Sequence, residues 1–399
     1  MVTGTTIAQA IPVAVSPILT RLYSPEDFGI YAIYFSTLMI ASVVATGKYE
    51  MAIVLPEKDE DAEDILVLSI VIALVVGVVM LAAILAFSVI FDSIFGMDLS
   101  VAVFVPLGVF LIGLSQSFHY YFNRKGQYRT LVKGRIFRSV SYSAVSLAIG
   151  AVRPAGIGIV IADSLGYVAS NAFMWRKKGT RFKHVDWQSL KRVSLQYINF
   201  PKYLIVSGFL EKGSGQAPVL FLTNLFNATI SAGYFSFAQR MIVTPADLIS
   251  RAIGDVFRQR ASGDFALYGN CIAVFNSTFR KLAGMAVVAF GLGFFVIVEA
   301  FAFVFGAEWR VAGEYAQIMM PMFFLQFIAS PLSSMFVIAN KQKYDLVLQS
   351  LLLTGASLAF VAGFFIFDSI RMAIIIFTIV YCIKYVAELY LSYRFSRGK

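Results

Sequence analysis

The 27 residues from Ile65 to Phe91 contain no charged side chain. A bilayer core of about 30 Å needs roughly 20 helical residues to cross it, and this run is long enough. The pattern recurs. Apolar runs lie near 3–22, 28–47, 65–91, 101–122, 131–150, 155–175, 203–224, 230–250, 282–305, 315–338, 345–367 and 371–391. The chain as a whole is 59% hydrophobic and 14% charged, where a soluble domain carries about 25% charged residues. So few polar groups cannot cover a surface in water. The reading is an all-α polytopic membrane protein with twelve spans. The first run is taken as a span and not as a cleavable signal peptide, because no basic region precedes it and no small-residue cleavage site follows.

The cations orient these spans. With the N-terminus in the cytoplasm, the inner connections hold 26 of the 33 lysines and arginines. Among them are Lys48 and Lys58, the group Arg124, Lys125, Arg129, Lys133, Arg135 and Arg138, and the linker cations from Arg176 to Lys202. The outer connections hold Arg21, Arg153, Arg310 and Arg371, while Lys212, Arg240 and Lys384 fall inside spans. This is the positive-inside bias. It places both termini in the cytoplasm and accounts for the net charge of +10 without nucleic acid as a partner. Cys271 and Cys382, and His119 and His184, lack the spacing of a disulfide framework or a metal site, so no cofactor is expected.

Between the first two runs stands Ser24-Pro25-Glu26-Asp27. It reads as an outer turn, with Pro25 stopping one helix and Gly29 letting the next begin close to it. The stretch "LTRLYSPEDFGIY" (19–31) is matched by "LTNLFNATISAGYF" (222–235) about 203 residues later. The match suggests two six-helix repeats, 1–175 and 203–399, joined by a basic cytoplasmic linker, 176–202. Six is even, so the repeats would share one sense in the membrane and be related by an axis along its normal.

Several phrases carry a family resemblance: "SPILTRLYSPEDFGIYAIY" (16–34), "KYEMAIVLPEKDEDAEDI" (48–65), "FPKY" (200–203) and "GYFSFAQRMIVTPADLISRAIGDVFRQRAS" (233–262). The chain resembles bacterial oligosaccharide and O-antigen flippases, the polysaccharide-transporter branch of the MATE-related superfamily, over most of its length. The resemblance implies two six-helix bundles in a V around a central cavity. It also implies transfer of an undecaprenyl-diphosphate-linked oligosaccharide from the inner to the outer leaflet of the plasma membrane. The drive would be an H+ or Na+ gradient, with membrane lipids and other polysaccharide-assembly proteins as partners.

Carrying a diphosphate through hydrocarbon costs several kcal/mol at least. A flippase therefore needs cationic and hydrogen-bonding groups facing a wet hollow, and no catalytic residue. Arg240, Lys212 and Glu211 sit near the middle of their spans, and Lys48 lies just inside the inner boundary beside Glu50. They are the substrate-binding candidates. The run Gly208, Gly213, Ser214, Gly215, Gln216, Pro218 reads as broken helix lining a cavity. Glu211 and Arg240 also admit a plainer reading, an internal ion pair locking two helices. Asp163, alone among Val, Ile and Ala, and Glu211 are the ion-coupling candidates, although Asp163 is also close enough to the outer side to face water. Glu299 reads as outer-facing or snorkelling, and Lys384 with Glu388 as a helical i,i+4 pair. The acidic run Glu57, Asp59, Glu60, Asp61, Glu63 and Asp64 is a solvated helix start or a contact for basic loops of the other half. Tyr31, Tyr34 and Tyr234 are sugar contacts or interfacial anchors.

Two other functions compete. A multidrug exporter of the same superfamily would share the fold but would want an acidic lumen for organic cations. A membrane polymerase or ligase of the same pathway usually has a sizeable outer loop, and every outer connection here is short.

Overall fold

A computed structural model describes residues 2–87, 96–179 and 186–398. Residues 88–91 of the third run, Arg181, Lys183, His184 and Lys399 lie outside the described residues.

Every expected span contains helix. In order these are α1 (Val2–Leu22), α2 (Pro25–Ala41), α3 (Asp59–Ala86), α4 (Phe104–Arg124), α5 (Tyr128–Val152) and α6 (Gly156–Lys178). A short helix, α7 (Trp187–Gln196), lies in the linker, followed by α8 (Asn199–Asn224) and α9 (Thr229–Tyr268). The ninth span is α10 (Ile272–Ala286), a single π turn, and α11 (Leu292–Phe305); then come α12 (Arg310–Leu332), α13 (Gln342–Phe365) and α14 (Ile370–Ser396). No strand occurs among the described residues. Large apolar side chains stay exposed along these helices, among them Val78, Val79, Phe295 and Phe303, as lipid-facing surface should. The protein is a multi-pass membrane protein.

Several helices depart from the expected bounds, α3 and α10 by starting early, and two departures matter most. α2 stops at Ala41, before the run's end at Gly47. Backbone hydrogen bonds then run at three-residue spacing from Val43 to Met51, leading into a 3-10 helix, Tyr49–Val54. Gly47 and Lys48 both take left-handed backbone (φ 60° and 63°), which no α-helix accommodates. α9 continues for 40 residues, about 60 Å at helical rise. That is about twice the hydrocarbon thickness, so its second half, with Arg251, Asp255, Arg258 and Arg260, extends beyond the apolar layer.

The chain divides into two compact units. One comprises Met1–Asn224 with Ala228–Gly233, and the other Leu225–Asn227 with Tyr234–Lys399. Packing thus groups α8 with α1–α6. The reason is local: α8 lies along α2 and the 3-10 segment, and Ser36 Oγ donates to Gln216 Oε1 at 2.9 Å. In the second unit α14 packs on α12 and α13, around Phe235, Phe360 and Phe377.

Ser24-Pro25-Glu26-Asp27 is a capping box. Asp27 N–H donates to Ser24 Oγ at 3.2 Å, Ser24 N–H donates to Asp27 Oδ2 at 2.9 Å, and Pro25 is the first helical residue. Ser24 thereby satisfies an otherwise orphaned helix-start amide. Gly29 does not serve the approach of α1, as its position beside the turn suggests. A β-carbon there would run into the carbonyl oxygen of Thr229, and one on Gly233 into that of Pro25. Thr229 and Pro25 are the first residues of α9 and α2, and each glycine is the fifth of its helix. The two matched sequence motifs therefore touch reciprocally, backbone on backbone, within the first unit. We expect Gly29→Val and Gly233→Val each to lower the detergent-solubilised thermal midpoint, at a cost of about 1–3 kcal/mol for overpacking. Because they crowd one crossing, the double variant should deviate from additivity by about 0.5 kcal/mol or more.

Candidate functional site

α8 is continuous from Asn199 to Asn224, so the Gly208–Pro218 run is not broken helix. Its glycines and serines keep helical backbone, and Ser214 Oγ donates back to the Leu210 and Glu211 carbonyls at 2.9 and 3.0 Å. The irregular backbone lies instead at 42–54, in buried surroundings that include Val43, Ala45, Ala52 and Ile53. Glu50, on that segment, is 3% exposed and accepts from the Thr46 hydroxyl.

This irregular segment presents Lys48 to α8. A β-carbon on Gly208 would stand 3.3 Å from Lys48 Cε and 3.5 Å from its Nζ. Glu211, Lys212 and Gly215 follow Gly208 at i+3, i+4 and i+7, which puts them on the same face of the helix. Lys212 Nζ lies 3.3 Å from Glu211 Oε1, and both side chains are open. Nothing lies within 4 Å of the β-carbon direction at Gly215. Val206 points away from this face, whereas the exposed Phe209 stands at i−3 from Lys212 and flanks it. The structure thus sets Lys48 against buried Gly208 of α8, one turn before the exposed Glu211 and Lys212. Arg240, on α9 in the second unit, is partly buried.

A second charged group lies among α2, α5 and α6. Asp163 is 2% exposed, and Arg138 Nη2 reaches its Oδ1 at 3.3 Å. The guanidinium carbon also sits 3.7 Å from the centre of the Tyr167 ring, a cation–π distance. Asp163 is therefore neither alone nor facing outer water. Arg138 is correspondingly misplaced by the cation count. It is not in an inner connection but ten residues into α5, on the stripe of buried Leu131, Gly134 and Tyr142. Sequence reasoning grouped it with the basic cluster just before it. Its i−7, i−4 and i+4 neighbours on the buried stripe were the signal that could have separated it.

The remaining candidates resolve locally. Glu299 pairs with Arg310 at 2.7 Å, both exposed. Lys384 does not snorkel: it pairs with Glu388 at 2.6 Å, and the two side chains are only 10% and 5% exposed. Tyr31 packs near Tyr142, Tyr34 is fully buried, and Tyr234 meets Trp309. The acidic run begins α3 and is tied to cations of its own unit. Asp59 meets Lys125 at 2.6 Å and Arg124 at 3.2 Å, and Arg192 of α7 meets Asp61 at 2.5 Å. Lys125 and then Arg124 hold the Asp59 carboxyl below its ordinary range. This tie is present at neutral pH and is lost as pH falls through the lowered native value.

Residues 18–314 match the model of a family described as polysaccharide biosynthesis protein. The chain belongs to that family. Its fold is shared with solved transporters of the MOP superfamily. An inward-facing multidrug resistance MATE transporter is similar at a TM-score of 0.74, with 12% identity over 98% of this chain and 94% of that one. The lipid II flippase MurJ, in an inward closed conformation, is similar at 0.77, with 12% identity over 97% and 87%. A MOP transporter from Pyrococcus furiosus, whose description notes a binding pocket of reverse polarity, is similar at 0.60, with 14% identity over 99% and 95%. No curated protein matches significantly in sequence.

The two charged groups should respond differently to truncation. Removing one partner of a buried pair strands a charge and costs about 3–5 kcal/mol, whereas an exposed pair is worth about 0–1 kcal/mol. Arg138→Ala, which leaves the buried Asp163 without its cation, should therefore lower the thermal midpoint sharply, and Lys212→Ala should leave it nearly unchanged in the same detergent.

Proposed function

We propose that this family member flips an undecaprenyl-diphosphate-linked oligosaccharide from the inner to the outer leaflet of the bacterial plasma membrane. The transfer serves surface polysaccharide assembly, such as O-antigen or exopolysaccharide, and runs by ion-coupled alternating access of two six-helix repeats, 1–175 and 203–399, with both termini cytoplasmic. Family membership supports the pathway, and the fold shared with a lipid II flippase is compatible with the task. The single observation that carries the reading is the charged group at α8. Glu211 and Lys212 are exposed on one side of α8, and Lys48 stands against Gly208, one turn before them. Charged groups at membrane depth face water or substrate by default, and two ammonium groups a turn apart along one helix suit an anionic headgroup. Arg240, on α9 in the second unit, is proposed separately as a substrate contact. The prenyl tail needs no such help, because lipid solvates it. The chemistry requires no nucleophile or general base, so the protein is read as a carrier and not an enzyme. Glu211 and Asp163 are the proposed sites for the coupling H+ or Na+.

The second reading, export of organic cations, is favoured by the fold shared with a multidrug MATE transporter but not by the cations at α8. The two readings separate in one strain. Deletion of the chain should accumulate lipid-linked repeat units on the inner leaflet and leave sensitivity to cationic drugs unchanged. Lys212→Ala and Arg240→Ala, at normal protein levels, should each slow export by about tenfold or more, the loss of one charge-assisted contact of about 1.5–3 kcal/mol. Wild-type export rates in both variants would remove these residues from the pathway.

A further inference from the structure

The linker helix α7 has two unlike sides. Val193 is fully buried, in the cluster that contains Ala62, Leu66 and Phe122. Arg192 pairs with Asp61 and Asp64 of α3 at 2.5 and 3.6 Å, and the Tyr49 hydroxyl donates to the Ser194 carbonyl at 3.0 Å. These contacts fasten α7 to the first unit beside the opening turns of α3. Trp187, Lys191 and Leu195 follow one another at i, i+4 and i+8 and form a second stripe. Lys191, at its centre, stands about 200° round the helix from Val193. Trp187 is 76% and Leu195 63% exposed, and Lys191 is exposed between them. Water is a poor solvent for an indole and an isobutyl group that share one stripe.

Position decides what covers that stripe. Only Tyr197 and Ile198 separate α7 from α8, so the two helix ends lie within about 11 Å of each other. The apolar run of α8 opens at Tyr203, and the Lys202 ammonium stands 5.4 Å from the centre of the Tyr203 ring. Aromatic and cationic side chains mix in this way at a membrane boundary. The start of α3 and the start of α8 therefore hold α7 at the bilayer surface. Charge matches that place. From Arg176 to Lys202 the sequence holds eight lysines and arginines against one acid, Asp186. Asp186 is engaged as the cap of α7, where it accepts from the Gln188 amide.

We propose that the Trp187–Lys191–Leu195 stripe is a docking surface for anionic phospholipid headgroups. Trp187 and Leu195 sink among the upper acyl carbons, and the Lys191 stem runs between them with its ammonium on a lipid phosphate. Apolar burial supplies part of the hold, and attraction between the basic linker and anionic lipid supplies the rest. A second protein fits less well. Three side chains offer far less than the roughly 1,200 Å² that a specific protein interface buries, whereas lipid already surrounds the neighbouring helix ends. Such a surface is independent of the cargo. The docked side of the same helix holds Tyr49, next to Lys48, so headgroups on one side of α7 and the 3-10 segment on the other share one support.

The test uses the full chain in nanodiscs of phosphatidylglycerol or of phosphatidylcholine, each with lipid brominated on its upper acyl carbons to quench nearby tryptophan. The chain has three tryptophans, so the emission of Trp187 is read as the difference between otherwise identical chains with Trp187 and with Trp187→Phe. In phosphatidylglycerol that emission should fall by about half or more, as befits an interfacial tryptophan. Leu195→Asp should cut the quenching at least about twofold in both lipids by removing apolar burial. Lys191→Glu should cut it in phosphatidylglycerol alone, by an amount that fades at high salt. These three side chains are exposed, so thermal midpoints near that of wild type should exclude a folding artefact. The proposal falls if aqueous iodide quenches Trp187 and brominated lipid does not, which would put the stripe in water. Protection from both quenchers would mark protein on the stripe and overturn it equally. Equal quenching in the two lipids, unmoved by Lys191→Glu, would remove the anionic headgroup and the proposal with it. The flippase reading stands or falls separately, on the export rates.

Discussion

Hydrocarbon offers no hydrogen bonds, and this rule shapes nearly everything else in the molecule. Every backbone amide at membrane depth must be satisfied by the chain itself. The long elements are consequently helices, and irregular backbone occurs at depth only where protein encloses it. The 42–54 segment fits that condition. Its short-spaced backbone bonds are packed among Val43, Ala45, Ala52 and Ile53, and the two left-handed residues at its centre set Lys48 against α8.

The same rule removes the ordinary driving force for helix association. Apolar side chains gain little by leaving lipid for one another, so close backbone approach and polar contacts take over. Gly29 and Gly233 show the first, each accepting the other helix's opening carbonyl where any side chain would collide. Ser36–Gln216, Tyr23 with the Ser146 carbonyl, and Ser115–Asn171 show the second, at 2.9, 2.8 and 2.6 Å. These bonds join helices distant in sequence, and the loss of one would leave a polar atom facing a partner that water cannot replace.

Charges sort into two energetic classes. Pairs open to solvent, such as Glu299–Arg310 and Asp59–Lys125, form and break at little cost and decorate the helix ends. Pairs with a buried carboxylate, Arg138–Asp163 and Lys384–Glu388, are expensive to separate because that carboxylate is left unpaired. The second pair is closed at 2.6 Å along one helix, whereas the first spans two helices at 3.3 Å and leaves acceptor capacity unused.

The sequence alone determined the class of protein, the order of its helices, the turn at Ser24–Asp27 and the family. Those depend on run length, charge asymmetry and local capping, all of which are properties of neighbouring residues. It also marked Lys48, Glu211, Lys212 and Asp163 as charges out of place. Tertiary structure alone decided their partners. Nothing along the chain ties Asp163 to Arg138, 25 residues away, or Gly29 to Thr229, because those pairings follow from how helices lie side by side. Nor does a run of glycine and serine announce whether it breaks a helix, as it does not at Gly208–Pro218, or whether an apolar run stops being one, as it does after Ala41. Backbone at those places answers to what packs against it, and that information is spread over the whole fold.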